Sequence, residues 1–122
     1  MDQPLQVKRV YDPPDDGDGF RVLVDRLWPR GISKDKARVD LWLKDLAPSD
    51  DLRRRFHGEP AKWREFVAAY AKELQEELAA VALNALRERA AREKVTLLYA
   101  ARDEQHNNAV ALKTLIEKSD KR

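Results

Sequence analysis

Apolar residues in this chain fall into two kinds of run, one continuous and one periodic. Leu5 to Val10 is short, rich in Val and Leu, and followed by the turn-forming stretch Asp12-Pro13-Pro14-Asp15-Asp16-Gly17-Asp18-Gly19; this pattern predicts a strand that empties into a loop. Phe20 to Leu27 has an unbroken Val-Leu-Val centre, and Val95 to Ala101 is apolar almost throughout. A strand with no polar face needs cover on both sides, the pattern of a parallel sheet, so these two runs are predicted to be neighbouring, internal, parallel strands. The first should end at Trp28-Pro29-Arg30-Gly31, because Pro29 cannot donate to a ladder and Gly31 permits positive φ.

Between these runs the periodicity changes. Ser33 can cap a short turn through Ala37, after which Val39, Leu41 and Leu43 alternate with polar neighbours and predict a third strand ending at Pro48, with a short helix as the alternative. Ser49-Asp50-Asp51 supplies a cap and an acidic first turn for a helix over Asp50 to Phe56, stopped by Gly58. Pro60 opens the longest helix, in which Trp63, Phe66, Val67, Tyr70 and Leu74 form one core-facing stripe. Leu78, Val81, Leu83 and Leu86 continue the apolar positions toward Arg92, either as one kinked rod or as two helices; length favours a break near Leu78 to Ala80. A last helix is expected from about Gln105 to Glu117, with a frayed tail over residues 118–122. Strands alternating with amphipathic helices predict one α/β domain over residues 1–122, a three-layer α/β/α arrangement around a mostly parallel sheet of about four strands.

Composition narrows the function classes. A chain of 122 residues buries about two-thirds of its surface on folding and can build a core. Lys and Arg number 24 against 22 Asp and Glu, divided as 12 against 11 in each part on either side of Gly58, so no basic arm or acidic tail announces nucleic acid. The absence of cysteine excludes disulfides, thiolate nucleophiles and Cys-ligated zinc, and two histidines cannot supply an H-E-x-x-H template. No metal site is therefore expected. No apolar run is long enough to span a bilayer, and Met1-Asp2-Gln3-Pro4 lacks the basic and apolar regions of a signal peptide, so a cytoplasmic protein without membrane contact is expected. Only four glycines are present, in none of the spacings that cradle dinucleotides, P-loop phosphates or a nucleophile elbow, and no motif names a cofactor.

Three strings carry a resemblance: Lys8-Arg9-Val10-Tyr11-Asp12, then Val22-Leu23-Val24-Asp25-Arg26-Leu27-Trp28-Pro29-Arg30-Gly31, then Leu97-Leu98-Tyr99-Ala100-Ala101-Arg102-Asp103 with His106-Asn107. Together with Leu43-Lys44-Asp45-Leu46-Ala47-Pro48-Ser49, they resemble the bacterial domain of unknown function 488 family, in its short YeaO-like branch, over nearly the whole chain. The resemblance implies a compact α/β fold and a shared polar cluster, but no reaction. Some relatives carry cysteines near the positions of Tyr99 and Asn107; this chain has neither, so thiol chemistry does not carry over.

In an open parallel sheet the ligand crevice lies beyond the carboxyl ends of the strands. The predicted elements bring Tyr11, Asp25, Arg26, Trp28, Arg30, Arg102, Asp103, His106 and Asn107 to those ends. Arg26, Arg30 and Arg102 have the geometry to hold a carboxylate or phosphate bidentately, with Tyr11, Trp28 and Asn107 completing the binding set. Asp25, Asp103 and His106 are the candidate acid/base groups, His106 being expected in the first turn of the last helix, where the dipole resists its protonation. The competing interpretation is a scaffold in which Asp25 and Asp103 neutralise these arginines. Trp28 either stacks on a base or Arg plane or packs its own loop. Asp12, Asp15, Asp16 and Asp18 are expected to form a solvated turn, since no EF-hand spacing fits; His57 is expected to serve a helix C-terminus, and Trp63, Phe66 and Tyr70 the core. The expected partner is a small anionic, nucleotide-like ligand, with or without catalysis. The alternative is a non-enzymatic module that binds nucleic acid through Arg53-Arg54-Arg55, or binds protein.

Overall fold

The computed structural model describes residues 5–120, without the side chains of residues 119 and 120. Met1-Asp2-Gln3-Pro4, whose composition argued against a signal peptide, and Lys121 and Arg122 of the expected tail lie outside the described residues. Four strands, β1 (Gln6–Arg9), β2 (Phe20–Leu23), β3 (Leu41–Trp42) and β4 (Val95–Tyr99), form one sheet in the order β1-β4-β2-β3. Every pairing is parallel, with Gln6 beside Thr96, Phe20 beside Val95 and Val22 beside Leu41. The two unbroken apolar runs are thus the two inner strands, and all five residues of β4 are buried.

The helices are α1 (Lys34–Ala37), α2 (Asp50–Phe56), α3 (Trp63–Glu73), α4 (Glu77–Arg92) and α5 (Asn108–Asp120). Helices α2 to α5, with Leu74 just past the end of α3, contribute Leu52, Phe66, Tyr70, Ala79, Leu86, Leu112 and Ile116 to one large core against Val22, Val24, Val95, Leu97 and Tyr99. The opposite face has only a small cluster of Val10, Leu23, Ala37 and Leu98, closed by Trp28, Ile32, Val39 and Trp42. The fold is therefore α/β with an all-parallel four-stranded sheet, but its third layer is α1 and coil rather than long helices.

Beneath that thin layer, the acidic loop departs from the solvated turn expected of it. A 3₁₀ turn over Asp16–Asp18 buries Asp18, which accepts hydrogen bonds from Lys8 Nζ and the equally buried Arg21. Arg21 also donates to the carbonyls of Ala37 at 2.7 Å and Arg38 at 3.1 Å, while Thr96 Oγ1 donates to the Asp18 carbonyl at 2.6 Å. Both ions are thus hydrogen-bonded on several sides, the condition for tolerating charge in an interior. The same loop needs Gly19: its φ is +67° and a Cβ there would sit 2.4 Å from the Lys94 carbonyl oxygen.

Other boundaries also moved. β2 ends at Leu23 rather than Leu27, because past Val24 a side chain replaces the backbone ladder. β3 is two residues long; Lys44–Leu46 form a 3₁₀ turn that drives Leu46 into the core. Helix α3 stops at Glu73 and α4 begins at Glu77, so the break precedes the Leu78–Ala80 stretch, with no Gly or Pro to signal it. Leu78 and Val81, expected to extend the core stripe, are instead in solvent. α5 starts at Asn108, later than expected, for a local reason: Asp103 Oδ1 accepts from the backbone N–H groups of Gln105 and His106, both at 2.9 Å, and ties the chain into a turn first. No helix among the described residues is long and apolar enough to cross a membrane.

Candidate functional site

All nine residues expected at the strand ends line one open cleft of about 710 Å³ beyond the carboxyl edge of the sheet. Its floor is the end of β2 and β4, its walls the start of α5, the loop after β2, and the segment from α2 into α3.

Asp25 ties the floor together. Its Oδ2 accepts from the Ala100 backbone N–H and its Oδ1 from Asn108 Nδ2, both at 2.9 Å, and Asn108 Nδ2 also reaches the Val24 carbonyl at 2.9 Å. The Asp25 carbonyl accepts from Trp42 Nε1 at 2.7 Å. One residue thus joins β2, β4, the residue before Leu43 and the first turn of α5. Burial raises the Asp25 carboxyl above the ordinary carboxylate value, against the opposing pull of its two hydrogen bonds and of Arg53.

Asp103 lines the cleft from the turn between β4 and α5. Its backbone hydrogen bonds from Gln105 and His106 hold it below the ordinary carboxylate value, and its Oδ2 lies 3.2 Å from His106 Nδ1. His106 precedes the helix rather than sitting in its first turn, so the helix-dipole argument does not apply to it. Its ring instead meets Trp63 edge to face at 5.2 Å. The helix cap is Asn107, which is buried; its Oδ1 accepts from the Val110 N–H at 2.9 Å and its Nδ2 donates to the Asp103 carbonyl at 2.9 Å. Asn107 thus shapes the wall of the cleft from inside the fold.

Among the described residues neither acidic group forms an ion pair with the arginines. Arg26 pairs with Asp50 at the start of α2, at 3.4 Å and largely in solvent, and Asp50 also holds Arg53 at 3.5 Å. Arg30 and Arg102 are exposed and form no ion pair among the described residues. The expected neutralising scaffold of Asp25 and Asp103 against Arg26, Arg30 and Arg102 is absent there. Tyr11 Oη donates to the Arg30 carbonyl at 2.7 Å and its ring lies under the Arg9 guanidinium, 5.1 Å from it. Arg9 in turn donates to the carbonyls of Ala100 and Ala101 at 3.0 and 2.9 Å, fixing the end of β4. Trp28 packs its own loop: Nε1 donates to the Ile32 carbonyl at 2.8 Å, and its ring meets Trp42 edge to face at 5.5 Å.

The cleft also holds residues not expected in it. Arg53 turns into it while Arg54 and Arg55 point elsewhere, as consecutive helical residues must. His57, expected at a helix end, is the cap of α2 and lines the cleft as well. Trp63 and Phe66, assigned to the core by period alone, stack at 5.5 Å and form an apolar wall, Trp63 only half-buried. The signal for this was the Gly58-Glu59-Pro60 interruption just ahead, which lets the helix start at the sheet edge. Chemically, the cleft combines four guanidiniums, three carboxylates, two imidazoles and an aromatic wall. No group of His, Asp and Glu among the described residues is arranged to hold a metal ion.

The model of the inactive DUF488-N3 subclade matches residues 4–122. The uncharacterized protein YeaO of Escherichia coli K12 is 44% identical over 109 residues, covering 88% of this chain and 92% of the relative. The uncharacterized protein Rv3073c of Mycobacterium tuberculosis H37Rv is 43% identical over 112 residues, 92% of each chain. No solved structure matches. Continuous over the strand ends, the cleft residues and the helices alike, this similarity shows that the chain belongs to the DUF488 family, in the subclade described as inactive.

Proposed function

We propose that the protein is a cytoplasmic anion-binding module whose cleft receives a small phosphate-bearing or carboxylate ligand of nucleotide type, without transforming it. The observation that carries this reading is the pair Arg30 and Arg102, exposed at one cleft and without internal ion partners among the described residues. A scaffold arginine is held by a carboxylate or a carbonyl, as Arg9 and Arg21 are; an arginine held by neither, beside others of its kind, is set for an external oxyanion. The aromatic wall of Trp63 and Phe66 suits a planar ring carried by the same ligand.

Binding is preferred to catalysis because the candidate acid/base groups are occupied. Asp25 accepts from Ala100 and Asn108, and Asp103 from Gln105 and His106. The description of the subclade as inactive agrees. Calorimetric titration with nucleoside monophosphates and inorganic phosphate is the test. Arg30→Ala and Arg102→Ala should each weaken binding about tenfold or more, the worth of a charged hydrogen bond, while melting stays within about 0.5 kcal/mol of the parent. No saturable binding, or loss of stability with unchanged affinity, would refute it. Should only oligonucleotides bind, with a log-log salt slope near −0.9 per phosphate, the nucleic-acid module replaces this reading.

A further inference from the structure

The cleft holds a second pair of guanidiniums, which differs from the first in having an internal counter-ion. Arg26, from the loop after β2, and Arg53, from α2, both line the cleft and share the carboxylate of Asp50. Asp50 lies 3.4 Å from Arg26 and 3.5 Å from Arg53, with all three side chains about half exposed. These separations exceed the roughly 2.7 to 2.9 Å of a charge-assisted hydrogen bond, and a loose, solvated ion pair of this kind contributes little to a fold. Two positive charges against one negative also leave an excess of one. The helix that carries Asp50 and Arg53 is nevertheless fixed in place. The Glu73 carboxylate of α3 accepts from the Ser49 N–H at 2.9 Å and from Ser49 Oγ at 2.6 Å, while Ser49 Oγ accepts from the Leu52 N–H at 3.1 Å and caps α2. Topology sets the two arginine pairs apart: Arg30 is tied by its carbonyl to Tyr11 past the end of β1 and Arg102 follows β4, whereas Arg26 meets α2.

We propose that Arg26 and Arg53 form a second anion subsite with Asp50 as its exchangeable internal counter-ion, so that the cleft takes a nucleotide carrying two phosphoryl groups, one on each arginine pair. This rests on the anion-binding reading of Arg30 and Arg102 and adds to it the number of anionic groups on the ligand. A phosphoryl group brings about 1.5 to 2 negative charges and three acceptor oxygens, against the single charge and two oxygens of Asp50, and so matches two guanidinium forks better than the carboxylate it replaces. In the empty cleft Asp50 keeps two like charges from facing each other unpaired. Its exposure lets it turn aside into water when the phosphoryl group arrives, with α2 held by Ser49 and Glu73.

The test is calorimetric titration of the full chain, at fixed salt, with the 5′-monophosphates, 5′-diphosphates and 3′,5′-bisphosphates of adenosine, guanosine, cytidine and uridine. A doubly phosphorylated form should bind about tenfold or more tighter than the monophosphate of the same base, the worth of one charged hydrogen bond. Arg53→Ala should bring that ratio down toward one, whereas Arg30→Ala should weaken singly and doubly phosphorylated ligands alike. Asp50→Asn removes the competing carboxylate and should widen the ratio about threefold or more. Circular dichroism checks that each variant is folded, as expected for exposed positions. Equal affinity for singly and doubly phosphorylated forms overturns the second subsite and leaves the reading of Arg30 and Arg102 standing; so does a ratio indifferent to Arg53→Ala. A ratio that Asp50→Asn fails to widen overturns the counter-ion role of Asp50. Absence of binding by every nucleotide overturns the underlying reading and this inference with it.

Discussion

Asp25→Asn isolates what a half-buried carboxylate does at the head of the sheet. The substitution keeps shape but leaves only one terminal oxygen, whereas the wild type answers two donors, the Ala100 N–H and the Asn108 amide, each at 2.9 Å. Asn108 cannot turn its amide to help without giving up the Val24 carbonyl. One donor is then stranded against an NH₂ group, a loss of about 1 to 3 kcal/mol from a domain that has roughly 5 to 15. The pH dependence is equally specific. Because burial raises the folded pKa of Asp25 above its unfolded value, the stability this group contributes is fully present below the unfolded pKa and is lost as pH rises through the folded one. Asn does not titrate, so the deficit of the variant should be largest near pH 4 and narrow toward pH 7. Urea melts of both proteins across that range measure it. A deficit that widens with rising pH would mean that hydrogen bonding outweighs burial at Asp25; equal stability near pH 4, where the group contributes most, would mean that Asp25 clamps nothing.

Two further perturbations probe the thin face of the sheet. Asp18→Ala strands the buried Arg21 guanidinium and should cost about 3 to 5 kcal/mol in a thermal or urea melt; a loss under about 1 kcal/mol would show that the Ala37 and Arg38 carbonyls suffice to hold that charge. Gly19→Ala and Gly31→Ala share a positive φ, +67° and +75°, but only the first meets backbone, the Lys94 carbonyl, while the second meets open space. Gly31→Ala should therefore cost about 1 kcal/mol and Gly19→Ala clearly more, and equal shifts in melting temperature would refute the steric argument.

The central strands were legible because burial on both faces leaves a local mark, the unbroken Val-Leu-Val and Leu-Leu-Tyr runs. The convergence of nine site residues followed from topology, since any parallel sheet gathers its strand ends at one edge. What stayed hidden depends on partners far along the chain. That Asp18 is buried is decided by Lys8 and Arg21 across the loop, and that β2 stops at Leu23 is decided by a hydrogen bond from Ala100 to Asp25. Trp63 obeys the helical period of a core residue, yet the helix begins so close to the sheet edge that its first turn overlooks the cleft. The Leu74–Glu76 break carries no Gly or Pro. Leu78 and Val81 read as core because an apolar position looks the same in sequence whether it faces a sheet or solvent.

The strand order has a consequence for assembly in time. β1 pairs with β4 alone, Gln6 lying beside Thr96, ninety residues away, and β2 reaches β1 only across that same strand. Before β4 arrives, the backbone pairing within reach is the short contact of β2 with β3. Such pairings carry a large loop-closure cost before any reward, so the sheet should form late and in one concerted step around β4 as it inserts between two waiting edges. A nascent chain stalled before Val95 would present Gln6–Arg9 and Phe20–Leu23 as open edges, the state in which a parallel-sheet protein is most exposed to aggregation and to chaperone capture.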